Sequence, residues 1–146
     1  MSTTQYVVFS LGNEEYGIDI SYGQEIIRVP KQIIKMPNTP LFIEGVANLR
    51  GNVIPVIDLK KRFDFEQTEK TNDSRLLILD LENMLLGIIV DDVSEVLMIE
   101  EESVEEFDFE ISGISGNSIQ GIGKIDDRLI LLLDAIKLKK EVFQNN

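Results

Sequence analysis

Carboxylates are the only side chains in this sequence with the number and grouping for acid-base or metal chemistry. Asp91-Asp92 and Glu100-Glu101-Glu102 are the densest groups, and paired acids can share a proton or hold a hard cation. Histidine and cysteine are absent, which removes the commonest general base, thiolate nucleophiles and Cys-based zinc sites. The alternation of Asp or Asn around a central glycine that builds a calcium loop does not occur. Gly113, Gly116, Gly121 and Gly123 sit in a loop before strand-like sequence, so no glycine pattern opens a helix to cradle phosphate. Adjacency alone indicates neither proton sharing nor metal binding. The acidic run from Glu100 to Glu110 therefore reads as a solvated face, and Asp92 as a helix N-cap. No catalytic, cofactor-binding or metal-ligating residue is expected, and a carboxylate-based or metal-dependent enzyme using Asp91 and Asp92 stands only as the alternative.

Charge narrows the partners. Acidic residues number 26 against 14 basic ones, a net charge of −12, which repels phosphate backbones and anionic membrane surfaces. Hydrophobic residues make up 43% and charged ones 27%, enough apolar side chains for a folded core. No apolar run approaches the roughly 20 residues needed to span a bilayer, and the start of the chain lacks a basic segment followed by an apolar one. A cytoplasmic protein is expected.

The elements that would position these residues are short. Tyr6–Leu11 and Glu15–Ile20 alternate like strands around a Gly12-Asn13 turn, a hairpin signal. Ser21 to Val29 has apolar residues at roughly helical spacing and is stopped by Pro30, predicting a short helix. Asn38-Thr39-Pro40 predicts a brief turn running to Ile43. Val46–Leu49 and Val53–Leu59 form a second hairpin with Gly51-Asn52 at its turn, and Pro55 predicts an edge or bulged strand. Lys60 to Ser74 reads as a loop. Strands follow at Leu76–Leu81 and Leu85–Val90, then a helix-capable stretch at Asp92–Leu97. Ala135 to Phe143 predicts a closing helix with lysines near its C-terminus.

The order of elements repeats. Gly17 and Gly87, Ile18 and Ile88, Glu25 and Glu95, and Ile26 and Val96 are each 70 positions apart. The hairpin around Arg50 echoes in Gly121 to Asp134 at a separation of 76, with Asp58 matching Asp134. A duplicated set of short strands predicts small β-barrels, one per copy, sharing a core. Two mismatches between the copies stand out. Leu49-Arg50-Gly51-Asn52 corresponds to Ile125-Asp126-Asp127-Arg128, so the hairpin itself does not require Arg50. Gly23 corresponds to Val93, and glycine for valine sacrifices about 1 kcal/mol or more in an ordered, partly buried segment.

Phe9 to Ile20, Gln24-Glu25-Ile26, Asn48-Leu49-Arg50-Gly51 with Val53 to Leu59, and Gly87 to Asp91 together resemble the CheW family of bacterial chemotaxis coupling proteins, over nearly the whole chain. The resemblance implies an all-β fold of two intertwined five-stranded SH3-like barrels with short helices. It implies one domain over residues 5–143, with motif sets at about 6–59 and 76–134 and a closing helix at 135–143. It implies a non-catalytic adaptor, without cofactor, between the cytoplasmic tips of methyl-accepting chemoreceptors and the regulatory domain of the histidine kinase CheA. Recruitment to receptor arrays at the inner face of the membrane follows. A receiver-fused relative and a kinase fragment are disfavoured, since the sequence carries neither a second domain nor a phosphorylatable histidine. By position, Glu25 matches a glutamate implicated in partner binding, and Arg50 the arginine of the family's most recognisable motif. Gly23 stands where the family usually has valine. Val90, Asp92 and Val93 fall near the groove that takes the receptor tip. The partner-binding set implied is thus Gly23, Glu25, Ile27, Arg50, Gly51, Val90, Asp92 and Val93.

Overall fold

A computed structural model describes residues 2–63, 70–106 and 118–143. Its strands are β1 (Thr3–Leu11), β2 (Glu14–Asp19), β3 (Gly23–Arg28), β4 (Ile43–Leu49), β5 (Asn52–Asp58), β6 (Arg75–Asp80), β7 (Leu85–Val90), β8 (Asp92–Glu100), β9 (Val104–Glu105), β10 (Ile119–Ile125) and β11 (Arg128–Leu133). Helices α1 (Leu59–Arg62) and α2 (Ala135–Phe143) follow β5 and β11. The all-β expectation holds. Two sheets form, in the orders β8-β1-β2-β11-β10-β9 and β3-β6-β7-β5-β4. They are open ladders of six and five strands rather than two closed five-stranded barrels.

The two orders correspond term by term once the repeat is applied. β6, β7 and β8 echo β1, β2 and β3 at a separation of 70, and β10 and β11 echo β4 and β5 at 76. Apart from β9, which has no counterpart in the first copy, each sheet therefore joins two strands of one copy to three of the other. The joints are parallel pairs at matched residues: Val56 lies opposite Gly87 in one sheet, Leu132 opposite Gly17 in the other. Contacts divide the chain into two compact units accordingly. One gathers Met1–Phe9, Glu14–Tyr22 and Ser94–Asn146, the other Ser10–Asn13 and Gly23–Val93. Asp58 and Asp134 match because each caps the helix after its hairpin: Asp58 accepts from the Lys60 and Lys61 amides, Asp134 from that of Lys137.

Each unit has its own core. In the first, Tyr6, Val8, Ile99, Ile130 and Leu132 cluster; in the second, Ala47, Ile54, Val56, Leu76, Ile78 and Ile89 do, with Ile27 and Leu49 packed against them. Ile27 belongs to β3 and Leu49 to β4, the two ends of the second sheet. That sheet is therefore curled around its core in the SH3-like manner, although no ladder joins β3 to β4 among the described residues.

Five local expectations are corrected. Ser21 to Val29 is a 3-10 turn at Ile20–Tyr22 followed by β3, and Asp92–Leu97 lies in β8, which Asp92 opens instead of capping a helix. In both segments the β-branched residues pair with a neighbouring strand, and tertiary pairing overrides the helical spacing. The β4–β5 turn is Arg50-Gly51, closed by Leu49 opposite Asn52, with φ 51 and 88 at its two central residues. Mirror-image hairpin turns require those positive angles. Pro55 lies in an interior strand, where Val46 opposite it spends its N–H and C=O on Ile34. No ladder bond from Pro55 to β4 is needed. The Lys60–Ser74 stretch opens with α1, and residues 64–69 lie outside the described set.

Candidate functional site

The β4–β5 turn brings Arg50 to Glu25. Both guanidinium ends donate, Nη1 to Oε2 at 3.1 Å and Nη2 to Oε1, a bidentate fork. The Arg50 side chain stays 66% exposed and that of Glu25 29%, so the pair is braced yet open to solvent. The hydrogen bond from Arg50 holds the Glu25 carboxyl below its ordinary range, and the same bond raises the guanidinium. Gly51 sits beside the fork, its amide donating to Asn48 Oδ1 at 3.1 Å.

Apolar side chains adjoin the fork in sequence. Ile26 follows Glu25 and is 47% exposed, and Val53 on β5 is 69% exposed. Gly23 is exposed where β3 begins, with a bulge between it and Glu25 in the pairing with β6. Ile27 is half-buried against the core and anchors β3. Val90 is 1% exposed, which makes it an interior residue and not a surface contact. Asp92 is exposed and Val93 half-buried at the start of β8. No hydrogen bond or ion pair joins these two to Glu25 or Arg50 among the described residues.

The other unit repeats this pattern. Arg128, on the far side of its hairpin turn, donates to Glu95 Oε2 at 2.8 Å and clasps Glu15 at 2.9 and 2.7 Å. Glu95 is the repeat of Glu25, and the exposed Val96 and Leu129 are the repeats of Ile26 and Val53. Comparing matched positions alone hides Arg128, which corresponds to Asn52 and not to Arg50. An arginine clasping the matched glutamate is thus common to both copies, and Arg50 is not surplus to the fold.

The candidate carboxylates do structural work. Asp91 takes an ion pair at 3.2 Å from Lys60, whose side chain is 7% exposed, and accepts the Gly12 amide at 2.7 Å. Glu101 accepts the Ser2 hydroxyl at 2.6 Å. Among the described residues no three Asp, Glu, His or Cys side chains are grouped to hold a metal ion, and residues 107–110 of the acidic run lie outside that set.

The profile of the CheW-like domain matches residues 5–142. The chain belongs to the CheW family. It is 37% identical over 134 residues to the chemotaxis protein CheW of Klebsiella aerogenes, covering 92% of this chain and 80% of that one. It is 38% identical over 138 residues to the CheW of Treponema pallidum, with 92% and 81% covered. Among solved structures, the scaffolding protein TtCheW of Thermoanaerobacter tengcongensis superposes with a TM-score of 0.82 at 44% identity, covering 90% and 89% of the two chains. CheW proteins are non-catalytic scaffolds and adaptors, and the enzyme alternative falls with that assignment. The protein is a chemotaxis adaptor, and no described helix is long and apolar enough to cross a membrane.

Proposed function

We propose that the protein couples the cytoplasmic tips of chemoreceptors to the regulatory domain of the kinase CheA, as a single domain of about residues 5–143. It works in the cytoplasm, recruited to receptor arrays. The observation that carries this reading is the exposed Arg50–Glu25 fork with Ile26 and Val53 near it in sequence. Apolar anchors beside an oriented arginine are the composition of a protein-binding hot spot. Gly23, Glu25, Arg50 and Gly51 form one contact region, and Asp92 with Val93 another. Ile27 and Val90 support those regions from beneath.

The test is a reconstituted mixture of receptor, kinase and adaptor. Kinase activity should rise when the protein is added, and it should co-sediment with receptor and kinase together. Activity that is identical with and without it would sink the proposal.

A further inference from the structure

Against a net charge of −12, one cleft in the second unit is lined by cations. Its volume is about 510 Å³, between the chain leaving β3, Glu44 on β4 and the turn leading into β6. Arg28 and Lys31 belong to the chain on one side and Lys70 to that on the other. Glu44 is the one carboxylate of the described lining, and it is already engaged by Lys61 and, at 3.8 Å, by Lys70. Arg28 and Lys31 have no ion-pair partner among the described residues.

The strand register adds an independent sign. Arg28 lies directly opposite Arg75 in the antiparallel pairing of β3 with β6. Like charges at directly opposed positions weaken a sheet, so folding alone disfavours this pair. Arg75 is held in place by donating to the Asn72 and Ser74 carbonyls at 2.7 and 2.8 Å, both on the turn that lines the cleft. Of the two arginines Arg28 lines the cleft, and an anion seated against it would offset part of the repulsion.

The cleft's shape selects among anions. Its cations come from two separate chain segments, Arg28 and Lys31 in one and Lys70 in the other, and Val29, Pro30 and Ile33 give it apolar surface. A volume in the range of ligand sites exceeds what one small anion fills. We propose that this cleft binds an acidic peptide segment, with Asp or Glu side chains engaged by Arg28, Lys31 and Lys70. This site is separate from the coupling function and stands or falls without it.

The experiment uses the full chain and a short labelled peptide alternating glutamate with leucine, followed by fluorescence anisotropy. Because the chain as a whole repels polyanions, binding must come from a local cation cluster. Binding should weaken with salt, be absent for the glutamine counterpart, and persist in the presence of inorganic phosphate. The Arg28→Glu/Lys31→Glu variant should lose about tenfold or more in affinity, and Lys31→Gln, on an exposed residue beyond the strand, should lose a few-fold with unchanged thermal unfolding. Lys137→Glu, in the other unit, should bind as the parent does. No binding by the parent chain, equal affinity in the charge-reversed variant, or displacement by equimolar phosphate would each overturn the proposal.

Discussion

Arg50, at φ 51 in the β4–β5 turn, grips Glu25 of β3 with both ends of its guanidinium. The two residues come from opposite ends of a five-strand order, so the fork fastens a curled sheet that hydrogen-bonded ladders leave open. Arg128 and Glu95 repeat the connection in the other unit. Arg50 therefore has a bracing role, and its exposure leaves it free for a second one.

The two roles separate by substitution. Arg50→Ala and Arg50→Gly both delete the fork, but only glycine relieves the positive φ. Exposed ion pairs contribute little, so the thermal midpoint should fall by no more than a few degrees in either variant, with Arg50→Gly the more stable. Affinity for the CheA regulatory domain should fall about tenfold in both. Parallel loss of stability and affinity would leave only the brace.

Gly23→Val tests the position where the copies differ. Gly23 is exposed and opens β3 opposite Leu79, and a β-branched residue suits an extended strand where glycine is entropically unfavourable. The variant should be more stable by up to about 1 kcal/mol in urea unfolding. Partner affinity should change with it; equal stability and equal affinity would mark the position as indifferent.

Asp91 and Lys60 carry a larger load. Their 3.2 Å pair has the lysine end buried, and deleting the aspartate takes a counter-charge from an ammonium that water barely reaches. Asp91→Ala should destabilise by about 2–4 kcal/mol, since it also removes the acceptor of the Gly12 amide. Lys60→Met, which fills the same volume and leaves a half-exposed carboxylate, should be milder. Urea titration of both variants decides the order.

An element is legible in the sequence to the extent that local residues decide it. β7 and α2 are legible to their end residues because an unbroken apolar run between Glu82-Asn83 and Asp91-Asp92, and the lysine-rich end of the last helix, are decided within a few positions. β3 and β8 are not, since Tyr22, Ile26, Ile27 and Val29 suit a helix until β6 offers its ladder. The sequence pattern places the turn one residue late because arginine rarely takes a positive φ, whereas Gly51-Asn52 is ordinary turn chemistry. The Arg50–Glu25 contact links residues 25 positions apart through sheet curvature, which no local pattern encodes. Its repeat is not encoded at the matched position either, because Arg128 reaches Glu95 from the other arm of its hairpin.

Tyr16 sets an alkaline limit. It is 4% exposed and stacks on Phe9 with ring centroids 5.9 Å apart. Burial, aided by the Glu14 charge, pushes its phenol up to about 12 from an ordinary 10.0. The folded chain thus holds this proton more tightly than the unfolded chain, so its contribution is complete below pH 10 and lost as pH rises toward 12. Unfolding free energy should drop by about 2 kcal/mol across that window, with Tyr6, also raised chiefly by burial, adding to it. Tyr16→Phe should flatten the decline in denaturant titrations run up to pH 12.

Gly45 controls the open edge of the second sheet. Its φ is 141, and a Cβ there would lie 2.0 Å from the Ile34 carbonyl oxygen. The approach is that close because Ile34 and the next residue, Val46, exchange two backbone hydrogen bonds of 2.8 Å, covering an edge that would otherwise present unpaired groups. Alanine can neither take this backbone angle without strain nor fit against backbone atoms, which cannot swing aside as a side-chain tip does. Gly45→Ala should therefore destabilise by about 3 kcal/mol or more. Hydrogen exchange locates the damage: the Ile34 and Val46 amides should lose protection, while the β10–β11 ladder, in the other unit, keeps its own. Retained protection at Ile34 in a folded Gly45→Ala chain would refute the steric account.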